Sequence, residues 1–228
     1  MHEIGSIARL LGIDTSVFTP ERDAEIAELE RRREAAAKEE RYRKAVPERY
    51  WSESLDSYRT DTAERKSAAE KARAFAQCVR LGEFRTLLLL GAVGTGKTHL
   101  ACGIVRECSG TYRLSSAIVD ELQHAKSFSS RETVADILDF YGSARLLVVD
   151  EIGRVSAAQE EQYALYQIIN ARYNRRKPTV LISNQTKGAF LGYIGEAAAD
   201  RLAESACAAE LSGGSYRAKM RGLNVRQS

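Results

Sequence analysis

The 228-residue chain lacks several features, and each absence narrows its class. No stretch approaches the ~18 consecutive apolar residues of a membrane span, and the N-terminus carries no apolar signal-peptide core. A cytoplasmic protein without a membrane partner is therefore expected. Net charge is small: 34 Lys and Arg against 31 Asp and Glu leave +3. That is too little for a global field that gathers nucleic acid, so any such binding must come from a local patch. The four cysteines, Cys78, Cys102, Cys108 and Cys207, form no C-x-x-C pair and no Cys/His cluster. The usual zinc spacings are excluded, and reduced thiols are the expectation. Proline is scarce, with only three. No internal repeat is present. The length suits one α/β core with an appendage rather than two large domains.

What is present is concentrated in Gly91-Ala92-Val93-Gly94-Thr95-Gly96-Lys97-Thr98, which satisfies G-x-x-x-x-G-K-[ST] at every fixed position. The uninterrupted apolar run Leu87 to Leu90 precedes it and reads as a strand buried on both faces. His99 to Cys108 follows, with Leu100, Ala101, Ile104 and Val105 at helical spacing. Strand, glycine loop and helix together place backbone N–H groups and a helix N-terminus around phosphates. Lys97 then reaches the β- and γ-phosphates, and the Thr98 hydroxyl ligates Mg²⁺.

Taken in order, Met1 to Phe18 is a short amphipathic stretch, with Ile4, Ile7, Leu10, Leu11 and Val17 near one helical face. It reads either as a cap on the protein's own core or as a partner-docking helix. Thr19-Pro20-Glu21 starts a helix, and Glu21 to Lys44 holds eight acidic and eight basic residues. Such balance supports many i,i+4 pairs and buries little, so a solvated helix ended by Pro47 is expected. The aromatic stretch from Val46 through Trp51 to Tyr58 serves as a strap or walls the adenine site. A helix spans Thr62 to about Arg80, with Ala69, Ala72, Phe75, Ala76 and Val79 on its buried side.

Beyond the glycine loop the pattern predicts a strand at Thr111 to Leu114 and helices at Ala117 to Lys126 and Arg131 to Tyr141. Leu146 to Val149 is a second buried strand, and Asp150 and Glu151 emerge at its C-terminal end, where open α/β sheets bind ligands. Asp150 would hold Mg²⁺, and Glu151 would orient and deprotonate an attacking water. A long helix over Ala157 to Arg176 and a further buried strand follow. The second of these, Thr179 through Asn184 behind Pro178, ends in the Asn184 amide, which is able to bond the water or the γ-phosphate.

In this order the pieces resemble an AAA+ ATPase, and within that class the DnaC-like helicase loaders and their sister group, the IstB-like transposition ATPases. The resemblance runs from Val46 to Lys219. It is carried by Gly94-Thr95-Gly96-Lys97-Thr98-His99-Leu100-Ala101, Asp150-Glu151-Ile152-Gly153, Ile168-Ile169-Asn170-Ala171-Arg172-Tyr173, Ile182-Ser183-Asn184, Asp200-Arg201-Leu202 and Ser215-Tyr216-Arg217. It implies a P-loop core with a parallel sheet flanked by helices, an N-terminal helical extension, and no C-terminal helical lid, because only eleven residues follow Arg217. It implies ATP and Mg²⁺ as ligands, His99 beside the cradle, Asn184 as sensor 1, Arg201 as a finger reaching a neighbouring subunit, and Arg217 as sensor 2. Where many loaders carry a second arginine this chain has Ala197.

The expected organisation is a partner-binding extension over 1–45, a strap and helix over 46–82, and the ATPase domain over 83–228. The implied activity is ATP-dependent helicase loading. The extension would grip a replicative DNA helicase, and subunits would self-associate through ATP. Lys126 and Phe128 would contact single-stranded DNA. The alternative is an IstB-like helper that acts on duplex DNA with a transposase. A small-molecule phosphotransferase fits less well, since no acceptor-binding insertion is evident.

Overall fold

The computed structural model describes residues 20–127 and 130–212. The amphipathic stretch Met1 to Phe18, Phe128, Arg217 and the segment that bears on a lid lie outside them. The chain divides into two units at Arg41/Tyr42, and each is described by itself.

The first unit contains most of helix α1, Pro20–Ala45. Its charges pair along the helix, with Arg32 Nε 2.9 Å from Glu28 Oε1. The pair is exposed, and such pairs contribute a few tenths of a kcal/mol at most, about 0.3–0.5.

The second unit begins with the last turn of that helix. Tyr42 and Val46 are buried there, and a short 3₁₀ turn follows at Glu48–Tyr50. Helix α2, Ala63–Arg80, is N-capped by Thr62, whose side chain accepts from Arg65 N. Next come β1 (Thr86–Gly91), α3 (Lys97–Cys108), β2 (Thr111–Leu114) and α4 (Ser115–His124). They are followed by α5 (Val134–Ser143), β3 (Leu147–Ile152), α6 (Ala158–Asn174) and β4 (Thr179–Ser183). Helices α7 (Lys187–Ile194) and α8 (Glu196–Ala203) and strand β5 (Ala206–Leu211) complete the described chain.

The five strands form one parallel sheet in the order β2-β3-β4-β1-β5. Alternation explains the apolar runs. Leu87 and Leu89 face one side with Ala72, Phe75, Leu100 and Ile104, whereas Leu88 and Leu90 face the other with Ile118, Tyr141, Leu165 and Ile168. All four leucines are at most 2% exposed. Full burial of such a side chain is worth ~1.5–3 kcal/mol, so the leucines of β1 contribute to the packing of both faces. The order also sets the site: β4, which leads into Asn184, lies between β1 and β3. The glycine loop, the acidic pair and the amide thus come together at the C-terminal ends of three neighbouring strands. No helix among the described residues is long and apolar enough to cross a membrane.

Arg172 is the largest fully buried side chain, 1% exposed. It donates to Thr179 Oγ1 at 2.7 Å, to Tyr141 O at 2.5 Å, to Ala144 O at 3.0 Å and to Pro178 O at 2.5 Å. Burial pushes the guanidinium down to about 9, which leaves it charged at neutral pH. A charge ringed by carbonyls stitches the end of α5 to the start of β4.

Candidate nucleotide site

The loop between β1 and α3 is set by glycine. Gly96 caps α3 with φ 96°, and a Cβ there would stand 2.6 Å from Tyr58 Cε2. Position 96 therefore admits no side chain while the Tyr58 ring covers the loop. The Tyr58 hydroxyl donates to Thr95 O at 3.1 Å, and burial pushes the phenol up to about 12, so it remains a donor. Lys97 is buried, and its Nζ donates to Gly91 O at 2.6 Å and Ala92 O at 2.7 Å. The ammonium is thus held against the loop at the mouth of a cleft.

Asp150 is 3% exposed. Its Oδ2 accepts from Thr98 Oγ1 at 2.8 Å and from Tyr112 OH at 2.8 Å, and its Oδ1 accepts from Glu151 N at 2.6 Å. A hydroxyl and a carboxylate side by side form the hard-oxygen set that suits Mg²⁺. Burial, then the Asp150 charge and hydrogen bond, raise the Tyr112 phenol, which keeps its proton. Nothing in the local sequence marks Tyr112 as part of the site. It reaches Asp150 because β2 pairs with β3, with Tyr112 opposite Val148.

Glu151 differs from Asp150 in exposure, backbone conformation and partners. It is exposed, its φ is 60°, and its Oε1 lies 3.1 Å from Arg154 Nη1. The β3–β4 register breaks between Val149 and Ile152, and that break turns the glutamate out of the sheet and into the cleft. The cleft holds about 300 Å³ and is lined by Val93 to His99, Asp150, Glu151, Arg154 and Asn184. On its outer wall stand Arg49, Tyr50, Tyr58 and Arg59, so the aromatic strap does border it. The volume falls in the range of small-molecule sites, at its lower end of roughly 300 Å³.

His99 anchors that strap. Its Nδ1 is 2.8 Å from Glu53 Oε2, and its Nε2 is 2.9 Å from Ser54 O and 3.1 Å from Ser57 Oγ. Of the residues assigned to the cradle, Gly91 and Ala92 contribute the carbonyls that hold Lys97.

Arg201 is not in this cleft. Its Nε donates to Asn170 Oδ1 at 2.7 Å, its Nη1 donates to Ala197 O at 2.8 Å, and the guanidinium lies 5.5 Å from the Tyr166 ring centroid. It lines a separate small cleft with Thr86, Thr179 and Ser205. Those residues stand at the starts of the strands, whereas the glycine loop follows the end of β1, about 16 Å away at ~3.3 Å per residue. Neither Asp200 nor Glu204 is its hydrogen-bond acceptor; Glu204 Oε2 accepts from Tyr173 OH at 2.5 Å. Lys126 is exposed in the turn that follows α4.

Fold and cleft together define an AAA+ P-loop protein. The crystal structure of the DnaC helicase loader superposes with a TM-score of 0.65 at 20% identity, covering 73% of this chain and all of that one. A family model of IstB-like ATP binding proteins matches residues 25–224, and the chain belongs to that family. Among curated relatives, the replicative helicase loader DnaC of Escherichia coli (strain K12) is 28% identical over 153 residues, 65% of this chain and 62% of its own. A protein named for insertion sequence IS232 and for ATP binding, from Bacillus thuringiensis subsp. berliner, is 29% identical over 148 residues, 61% of this chain and 58% of its own. The chain thus spans about three fifths of the length of these two curated relatives.

Proposed function

We propose that the protein binds and hydrolyses ATP and acts as a helicase loader, placing a replicative helicase on single-stranded DNA. The observation that carries the chemistry is the split in the acidic pair: Asp150 is buried on Thr98, while Glu151 is exposed in the cleft. Lys97 and the loop amides would bind the phosphates, and Thr98 and Asp150 would hold Mg²⁺. The metal, when bound, neutralises charge on the β- and γ-phosphates. Glu151 would take the proton of the attacking water once released from Arg154, with Asn184 fixing that water from the neighbouring strand end. Arg201, remote from its own cleft, would complete the site of an adjacent subunit, and Arg217 would serve as sensor 2.

The partner is argued from the DnaC relatives. The extension ahead of Tyr42 would grip the helicase by laying an amphipathic segment in a groove, and Lys126 with Phe128 would contact single-stranded DNA. The insertion-sequence relative and the family model support a second reading, a transposition helper that works on duplex DNA with a transposase. Affinity capture of the full-length chain with ATP and Mg²⁺ tests the two. Retention of the host's replicative helicase supports loading, and retention of a transposase encoded beside it with no helicase overturns that reading.

A further inference from the structure

Behind the acidic pair lies a carboxylate with no part in the chemistry described so far. Glu161, on the first turn of α6, is 0% exposed. Its Oε2 accepts from Gly153 N at 3.0 Å and from Tyr193 OH. No lysine or arginine pairs with it among the described residues, and its Oε1 has no hydrogen-bond donor there. A buried carboxylate without a cation is costly, and its two donors explain why it is in place.

Those donors come from the segments that follow two neighbouring strands, β3 and β4. Gly153 has φ 83°, and a Cβ there would stand 2.6 Å from Gln185 Nε2. Gly153 thus ends the turn in which Glu151 takes its own positive φ, and the Glu161 bond fixes its amide. Tyr193 is on α7, which begins at Lys187, three residues after Asn184. Burial, then the bond to Glu161, raise the Tyr193 phenol, so it keeps its proton and stays the donor. Nearby, Ser183 Oγ donates to Ile152 O at 2.8 Å and accepts from Gln185 N at 3.3 Å. The turn that carries Glu151 is therefore tied twice to the segment around Asn184, once to the end of β4 through Ser183 and once, through Glu161, to the helix that follows β4.

We propose that Glu161 is a positioning residue for ATP hydrolysis: by holding Gly153 N and Tyr193 OH on one buried oxygen, it aims Glu151 relative to Asn184. The inference rests on the hydrolysis reading. It separates binding from turnover, because Glu161 touches neither the glycine loop nor the Thr98–Asp150 pair. Small misplacements of a catalytic group cost about 10²-fold in rate.

The test uses the full chain with ATP and Mg²⁺. Glu161→Leu removes the acceptor at similar volume, and Glu161→Gln retains one acceptor oxygen. The expected result is turnover about 10²-fold lower in Glu161→Leu, ATP affinity unchanged, and most of the rate recovered in Glu161→Gln. Should the leucine variant not fold, Tyr193→Phe removes one of the two donors, and a drop in turnover of several-fold at constant affinity is expected. Wild-type turnover in Glu161→Leu or Tyr193→Phe, or an equal loss of binding and turnover in either, overturns the assignment. Amide exchange over residues 150–154 separates this from failure of the hydrolysis reading. If the wild-type chain turns over no ATP, that reading falls. Exchange accelerated locally in the variants then still supports Glu161 as the anchor of the turn, and unaltered exchange removes that role too.

Discussion

Thr98 Oγ1 donates to Asp150 Oδ2 across 2.8 Å, though 52 positions separate the two residues. The bond joins the N-terminus of α3 to the end of β3, and Tyr112 OH reaches the same oxygen from the neighbouring strand. One carboxylate oxygen is therefore shared by two hydroxyls, and Glu151, beside it, stays exposed.

Cradle and base are expected to separate under mutation. Lys97→Ala should weaken ATP binding by ~2–5 kcal/mol, the usual loss for truncating one partner of a desolvated charge pair. Glu151→Gln should leave affinity intact and cut turnover by ~10²–10⁴. Equilibrium titration with a fluorescent nucleotide and phosphate-release kinetics measure the two quantities. A Glu151→Gln protein at the wild-type rate would remove Glu151 as the base.

Tyr112→Phe should leave ATP binding without metal unchanged while shifting the Mg²⁺ midpoint of hydrolysis upward about tenfold, the scale of a lost outer-shell partner. The hydroxyl orients Asp150 and touches no phosphate. A Mg²⁺ titration of turnover decides it, and an unmoved midpoint would make Tyr112 a packing residue only.

Arg201→Ala should cost ~10³–10⁵ in rate if its guanidinium acts on the phosphate of an adjacent subunit. Mixing inactive Lys97→Ala with inactive Arg201→Ala chains should restore some hydrolysis, because one mixed interface pairs an intact cradle with an intact finger. Normal turnover by Arg201→Ala alone would show that Arg201 serves only its bonds to Asn170 and Ala197.

Deleting residues 1–41 should leave the remaining unit folded and abolish capture of the helicase. The cut stops before Tyr42, because that ring is buried under the Arg106 guanidinium, 4.0 Å from its centroid, and its hydroxyl donates to Tyr50 O at 2.6 Å. Circular dichroism and a pulldown test both halves. A truncated chain that still retains helicase puts the contact in the folded core.

Arg172→Lys should lower Tm by roughly 5–15 °C with ATP affinity little changed. A lysine cannot reproduce the fork, and each buried carbonyl left unpaired costs ~1–3 kcal/mol, which converts at ~2–4 °C per kcal/mol for a domain of this size. Thermal melting with and without nucleotide gives the answer.

The sequence by itself determined the glycine loop, the Asp150–Glu151 pair and the central strands, because each is local. A φ requirement written as glycine, a run of leucines buried on both faces and a carboxylate at a strand end all leave their mark within a few residues. Helix ends could be read to within a few positions where Thr62 caps α2 or Pro178 precedes β4. The weakest stretch was 187–211. Strand β5 is Ala-Cys-Ala-Ala-Glu-Leu, poor in β-branched residues, and it becomes a strand by pairing with β1 from Thr86↔Ala206 to Gly91↔Leu211. Helices α7 and α8, eight residues each, are too short to show a period.

Only the tertiary structure decided who meets whom. Strand order places Asn184 between the loop and the acidic pair, brings Tyr112 to Asp150 and leaves Arg201 at the far end of the sheet. It also sets Glu161 under the turn that presents Glu151. The strand-order relations have no local signal, since they arise from parallel pairing between segments tens of residues apart, and the Glu161 bond to Gly153, though eight positions apart, depends on how α6 packs beneath that turn. The energy that fixes such pairing comes from burying both faces of the sheet at once, which no window of sequence contains.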